Sequence, residues 1–256
     1  MAIREAVILA AGYGSRIRGA AGDTPKPLIT VHGIPLIAYS LASLLNAGVK
    51  HFYIVVNPRS RTPITRFMDT VGIDAEVIVN EAPERGNGYS LILGMEHVKD
   101  MFFLSMSDHI YDPKIPGLLY STREFDVIIG VDSNPRYISV DEATKVLVDR
   151  GVALDIGKKI PRYTHIDIGL FIMKRSLYEF YRDYAERNQV VELSSLIKHS
   201  ISSGKRVAVA DIGGLPWIDV DTVNDLRRAE NEAHDLLGRA VETVRRHLTL
   251  QSLSTC

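Results

Sequence analysis

The sequence predicts an α/β fold, and three observations carry that prediction. Short apolar runs rich in branched side chains recur at Ala6 to Ala11, Phe52 to Val56, Ala75 to Val79, Met101 to Met106, Phe125 to Val131 and Ile166 to Met173. They have the length and composition of buried strands. Segments of helical spacing separate the early runs, and such alternation builds parallel βαβ units. The chain of 256 residues, 46% hydrophobic and 24% charged, is long enough for one substantial core. No repeat, low-complexity tract or linker marks a second domain, so residues 1–248 are expected to fold as one unit.

After the first strand, a helix is expected over Pro35 to Ala47, opening on a proline that a first helical turn tolerates and stopping at Gly48. Another follows the third strand at about Tyr89 to Val98. Beyond Asp132 the alternation loosens. Ala143 to Asp149 and Val152 to Ile156 read as short strands joined through the turn Asp149-Arg150-Gly151. A helical pair over Ser176 to Ser203, a strand at Arg206 to Ala210, the loop Asp211 to Pro216 and one long helix over 222–248 complete the fold. In that last helix Leu236, Leu237, Ala240, Val241 and Val244 recur at helical spacing, as on a face packed against the body or, in a second reading, a docking or oligomer contact. The tail 249–256 is expected to be flexible.

Basic and acidic residues nearly cancel, 30 against 31, for a net charge of -1. Nothing global therefore attracts nucleic acid or an anionic membrane. The N-terminal apolar run is too short for a signal peptide, and no uninterrupted apolar stretch approaches the roughly 18 residues of a transmembrane helix. The single cysteine, Cys256, has no partner for an intramolecular disulfide, which fits a reducing cytoplasm. A soluble cytoplasmic protein without membrane insertion is expected.

The first strand runs into Leu9-Ala10-Ala11-Gly12-Tyr13-Gly14-Ser15-Arg16, where two glycines let the backbone turn tightly and bring amides to an anion. Ile17 stands where a dinucleotide fingerprint needs its third glycine, and the Walker lysine-serine pair is missing. Thr24-Pro25-Lys26-Pro27-Leu28 then sets a lysine between two prolines that fix its backbone, a rigidly held cation unless Lys26 is only a solvated turn residue. The third strand ends in Asn80-Glu81-Ala82-Pro83-Glu84-Arg85-Gly86-Asn87-Gly88, opening a helix whose small residues admit a planar or anionic ligand, unless Asn87 only caps it. The fourth strand delivers Ser107-Asp108-His109 at its carboxyl end, where open α/β sheets gather ligand-binding groups. Near the C-terminus, Trp217-Ile218-Asp219-Val220-Asp221-Thr222 alternates two aspartates onto one strand face before an N-cap threonine.

Leu-Ala-Ala-Gly-x-Gly-x-Arg followed by Pro-Lys-Pro resembles the opening motif of the nucleotidyltransferases that make sugar nucleotides. The resemblance implies the nucleotide-diphospho-sugar transferase fold, a Rossmann-like three-layer sandwich with a mixed, mostly parallel sheet. Residues 1–132 would form its nucleotide-binding part, 133–221 its acceptor-binding part. It implies that Leu9, Ala10, Ala11, Gly12, Gly14 and Ser15 form the nucleotide loop, with Glu81, Gly86, Asn87 and Gly88 at base and sugar. Arg16 would clamp the phosphates, and Lys26 would steady charge at the attacked phosphorus. Mg2+ is the implied cofactor, on Asp108 and Asp221, with Asp219 the second choice. His109 reads as a packed or solvent-facing histidine.

A narrower resemblance, to archaeal inositol-1-phosphate cytidylyltransferase domains, rests on further strings. They include Pro83-Glu84-x-Gly86-Asn87-Gly88-Tyr89-Ser90-Leu91, Asp108-His109-x-Tyr111, Pro135-Arg136, Glu142-Ala143-Thr144-Lys145, Ile156-Gly157-Lys158 and Asp167-x-Gly169-x-Phe171. It implies CTP and a small phosphorylated polyol, inositol-1-phosphate, as substrates. Lys158 would grip the acceptor phosphate, Lys145 and Arg136 are further cations for it, and Glu142 and Asp167 would accept from acceptor hydroxyls. Many such domains are fused to a membrane phosphotransferase whose apolar spans this sequence does not show, so the product is expected to pass to a separate membrane protein. Two other readings stand beside this one. The acceptor is glucose-1-phosphate or phosphocholine, the latter wanting an aromatic cage for which Tyr111, Tyr137 and Tyr163 are the candidates. Alternatively the chain is a silent nucleotide-sugar sensor, against which the full set Arg16, Lys26, Asp108 and Asp221 argues.

Overall fold

The computed structural model describes residues 3–17, 19, 22–120, 124–231 and 233–248. Tail 249–256, with Cys256, lies outside them. The chain opens with β1 (Glu5–Ala10), the small hairpin β2 (Thr30–Val31) and β3 (Ile34–Pro35), and α1 (Leu36–Asn46). Next come β4 (His51–Val56), α2 (Arg61–Val71), β5 (Ala75–Val79), α3 (Asn87–Met95), β6 (Met101–Met106), β7 (His109–Tyr111) and the single turn α4 (Ile115–Leu118). The second half runs β8 (Val127–Asp132), β9 (Lys145–Asp149), β10 (Val152–Gly157), β11 (His165–Lys174), α5 (Tyr178–Arg187) and α6 (Leu193–Ser202). It ends with β12 (Val207–Asp211), β13 (Trp217–Asp219), α7 (Val223–Asn231) and α8 (His234–His247).

Nine strands form one mixed sheet in the order β5-β4-β1-β6-β11-β8-β12-β10-β9. Only β10 and β11 run against the other seven, so the sheet is mostly parallel as expected. Alternate strand residues serve opposite faces. Ala6, Ile8 and Ala10 of β1 join one core with side chains of α1, α2 and α8, while Val7 and Leu9 join the other with α3, α5 and α6. That pattern makes the three layers. Between β9 and β10, Arg150 and Gly151 have φ of 46° and 81°, the two left-handed residues of a tight hairpin turn.

The acceptor half has a feature no strand pattern announced. The start of β11 pairs with β9 at His165 and Ile166, so the ladder β11-β8-β12-β10-β9 returns to β11 as a ring. β11 also carries a register shift between Asp167 and Phe171, and such bulges re-aim side chains beside functional sites.

The single C-terminal helix expected over 222–248 is corrected to two. Ala233 leaves helical backbone (φ -87°, ψ 41°) between α7 and α8, and its N–H reaches the Arg228 carbonyl at 3.3 Å. The apolar spacing Leu226, Ala229, Ala233, Leu237, Ala240, Val244 continues through the break, so periodicity could not reveal it. The break leaves α7 beside β13 while α8 packs on α1. Leu236, Leu237, Ala240 and Val244 are thereby buried within the fold. Among the described residues no helix is long and apolar enough to cross a membrane.

α3 meets the sheet through Gly94, where an added Cβ would lie 2.5 Å from Val7 Cγ1 and 3.2 Å from Val55 Cγ2. Alanine gains about 1 kcal/mol of helix propensity over glycine, but overpacking of this kind costs about 1–3 kcal/mol. Gly94→Ala is therefore expected to be net destabilising in chemical denaturation; a midpoint at or above wild type would show that the helix has room to move off the sheet.

Candidate active site

The carboxyl ends of β1 and β6 face a cleft, and three segments far apart in sequence converge there. β1 feeds the loop after Ala10, where Gly14 holds φ 62° and an added Cβ would lie 2.8 Å from Lys26 Cβ. Glycine at 14 is thus the condition for seating Lys26, which explains why the two halves of the motif occur together. Lys26 sits in a 3-10 turn (Lys26–Leu28) flanked by Pro25 and Pro27 and is 8% exposed. Its Nζ donates to Asp108 Oδ2 and to Asp221 Oδ1.

The small antiparallel pair β7–β13 brings the two aspartates together. It sets Asp219 opposite His109 and Trp217 opposite Tyr111, and Val220 N–H donates to the Asp108 carbonyl at 3.0 Å. Beneath the pair lies an anchor absent from the sequence reading, the buried Asp132. It accepts from Trp217 Nε1 at 2.8 Å and from the Asn134 and Gly214 N–H groups at 2.9 Å. Trp217 in turn stacks on His109 at 5.8 Å between ring centres. His109 is packed, as one reading had it, yet its Nδ1 also bonds Asp108 Oδ1 at 2.8 Å.

Charge is concentrated here. Burial pushes the Asp108 carboxyl up, but Lys26 and His109 outweigh it and hold it well below the usual range. Burial would lower Lys26, yet Asp108, Asp221 and Asp219 raise it above an ordinary lysine. His109 is likewise lowered by burial and raised more by Asp219 and Asp108, to about 9. Asp219 is pushed up to about 7 by burial, with Asp108 and Asp221 adding to it against His109.

Arg16 spans the site from the loop side, donating to Asp221 Oδ2 at 2.6 Å and to Glu142 Oε2 at 3.3 Å. A cleft of ≈ 200 Å³ beside it is lined by Leu9, Ala10, Gly12, Gly14, Ser15 and Lys26 among others. A larger cleft of ≈ 950 Å³ contains Asn87, Glu142, Lys158 and Asp167, and Arg16, Asp108 and Asp221 line both. Asp167 stands at the β11 bulge, its Oδ1 accepting from Gly169 N–H at 2.8 Å; burial, against that bond, raises its pKa to about 6.

Other expected residues fall elsewhere. Lys145 does not line the cleft: its Nζ is tied to the carbonyls of Asp141 and Lys158 at 3.1 and 3.2 Å, pinning one loop to the next. Arg136 also lies off it, 3.7 Å from Asp235. Glu81 is exposed, and neither it nor Ala11 lines the two clefts. Gly86 and Gly88 are explained by packing, since a Cβ on either would lie 2.7 Å from the Val191 carbonyl oxygen. Asn87 caps a helix other than its own, its Oδ1 accepting from Leu193 N–H at the start of α6 at 2.8 Å. Tyr111, Tyr137 and Tyr163 do not line the large cleft, so they make no ammonium cage there. Lys159, Asn224 and Arg228 do line it and escaped the sequence reading, Lys159 although it adjoins Lys158.

The donor set suits a divalent ion. Among the described residues, Asp108, His109 and Asp219 offer ligand atoms within 4.8 Å of one another. Asp219 Oδ1 is buried with no hydrogen-bond partner, an oxygen a cation would satisfy.

The chain is similar to known proteins along most of its length. The profile of the MobA-like NTP transferase domain matches residues 6–159. A bifunctional IPC transferase and DIPP synthase of Aquifex aeolicus (strain VF5) is 35% identical over 228 residues, 89% of this chain and 51% of that protein. Its counterpart in Archaeoglobus fulgidus is 35% identical over 227 residues, 89% of this chain and 43% of that one. The chain thus spans about half the length of these relatives. The solved inositol-1-phosphate CTP transferase from T. maritima superposes with a TM-score of 0.88 at 30% identity, covering 94% of this chain and 98% of that one. A glycine-rich loop seating a lysine between two aspartates is therefore accompanied by likeness along nearly the whole chain, which belongs to the MobA-like NTP transferase family of nucleotidyltransferases.

Proposed function

We propose that the chain transfers CMP from CTP to L-myo-inositol-1-phosphate, giving CDP-inositol and pyrophosphate. The observation that carries this reading is the convergence of Lys26, Asp108 and Asp221 where the loop-side cleft meets the larger one. Two phosphorylated substrates need two adjoining compartments and cationic groups at the seam. The identity of both substrates is supported by the T. maritima likeness.

In this reading the loop through Gly12, Gly14 and Ser15 presents its backbone to the triphosphate, Arg16 clamps the phosphates, and Asn87 borders the nucleoside. Lys158, joined by Lys159, holds the acceptor phosphate, while Glu142 and Asp167 accept from acceptor hydroxyls. Asp108 and Asp221, oxygen donors suited to a hard ion, hold Mg2+, with Asp219 beside them. The ion, when bound, offsets negative charge on the phosphates. An acceptor phosphate oxygen bonds to the α-phosphorus from the side opposite the departing pyrophosphate, whose bridging bond breaks. The acceptor oxygen is already ionised at neutral pH, so no strong base is required. The residues contribute positioning and electrostatics, which dominate phosphoryl-type transfer. A cytoplasmic setting, and passage of CDP-inositol to a membrane phosphotransferase, belong to the same proposal.

Pyrophosphate release with Mg2+, over CTP, UTP, ATP and GTP against inositol-1-phosphate, glucose-1-phosphate and phosphocholine, is expected for CTP with inositol-1-phosphate. Turnover with another pair replaces the substrate assignment, and nucleotide binding without turnover anywhere favours a sensor. Lys26→Ala is expected to lower kcat by about 10²-fold or more; wild-type turnover would remove Lys26 from the chemistry. Lys158→Ala is expected to raise the acceptor KM by about 10- to 100-fold, the loss of one charge-assisted hydrogen bond, with Arg136→Ala leaving it near wild type. The reverse pattern would move the acceptor phosphate to the Arg136 side.

A further inference from the structure

Every oxygen of the two proposed metal-binding carboxylates is already engaged by a basic group of the chain. Lys26 Nζ takes Asp108 Oδ2 and Asp221 Oδ1, Arg16 takes Asp221 Oδ2 at 2.6 Å, and His109 takes Asp108 Oδ1 at 2.8 Å. A dication entering this arrangement would compete with a basic group at every carboxylate oxygen of both residues and would stand against an ammonium and a guanidinium.

Two of these basic groups border open space. The Lys26 backbone is held by Pro25, Pro27 and the contact with Gly14, but its four-carbon stem lets the ammonium swing without moving that backbone. The adjoining ≈ 200 Å³ cleft, bordered by Gly12, Gly14 and Ser15, lies within that reach because Lys26 itself lines it. The Arg16 side chain is 51% exposed and lines the same cleft. A triphosphate there supplies competing anionic oxygens for both.

We propose that Lys26 and Arg16 occupy the metal site of the nucleotide-free protein, and that a divalent ion gains Asp108 and Asp221 as ligands only after nucleotide phosphates have drawn both cations away. The inference rests on reading Asp108 and Asp221 as metal ligands; it does not depend on which acceptor is used. Nucleotide and metal must then strengthen each other's binding, because linkage between two sites is reciprocal.

The test is calorimetric titration with Mn2+ alone, without nucleotide, on wild type, Lys26→Met and the double variant Lys26→Met/Asp221→Asn. Lys26→Met is expected to bind Mn2+ roughly 5- to 150-fold more tightly than wild type, the usual span of a coupling between sites. The double variant is expected to lose that gain. Thermal unfolding supplies a second readout, with Mn2+ raising the Tm of Lys26→Met and not that of wild type. If Lys26→Met does not fold, Arg16→Gln frees one oxygen of Asp221 and takes its place in the titration. Wild type binding Mn2+ as tightly as the single variant, or a single variant with no gain, overturns the inference. A gain that survives Asp221→Asn overturns the ligand assignment beneath it.

Discussion

Two aspartates supplied by distant parts of the chain are held together in a partly buried site by one lysine. Lys26 reaches Asp108, 82 residues on, and Asp221, 195 residues on. Like charges so placed repel unless a cation stands between them, and the loop after β1 delivers one to the point where the β7–β13 pair brings the two acids together. The rest of the site follows from that constraint. Gly14 leaves room for the lysine, the prolines fix its turn, and the β7–β13 pair fixes the spacing of the acids. Asp132, Trp217 and His109 form a supporting stack that locks Asp108 from the side away from Lys26.

Much of the nucleotide half was legible because its signals are local. The parallel strands of this half are short, mostly apolar runs, and the loops at their carboxyl ends carry residues whose backbone needs are visible in the letters: two glycines, a lysine between prolines, an aspartate after a strand. The expected strands Ala75 to Val79 and Met101 to Met106 occur with those bounds. Alternation predicts Asp219 and Asp221 on one strand face; β13 ends at Asp219 and Asp221 lies just past it, yet the structure puts both at the site, Asp221 on Lys26 and Asp219 with a buried oxygen that accepts no hydrogen bond.

The acceptor half was less legible because its geometry is non-local. The ring closed by β9 on β11, and the bulge that aims Asp167, depend on pairings across many residues that no periodicity encodes. Lys145 and Lys158 look alike as letters, yet one is consumed by backbone carbonyls and the other lines the cleft. Gly86 and Gly88 were read as ligand contacts and are required by the close approach of Val191. The division between α7 and α8 stayed hidden because the apolar period runs through it.

The central claim is that Asp221, contributed from the far end of the sequence, completes a transfer site begun by the first loop. The most direct measurement is steady-state turnover of CTP with inositol-1-phosphate by Asp221→Asn, paired with its unfolding midpoint. A loss of about 10²-fold or more in kcat with folding retained is the expected result. A folded variant that turns over like wild type would contradict the claim and leave the convergence of Lys26, Asp108 and Asp221 as a structural ion pair.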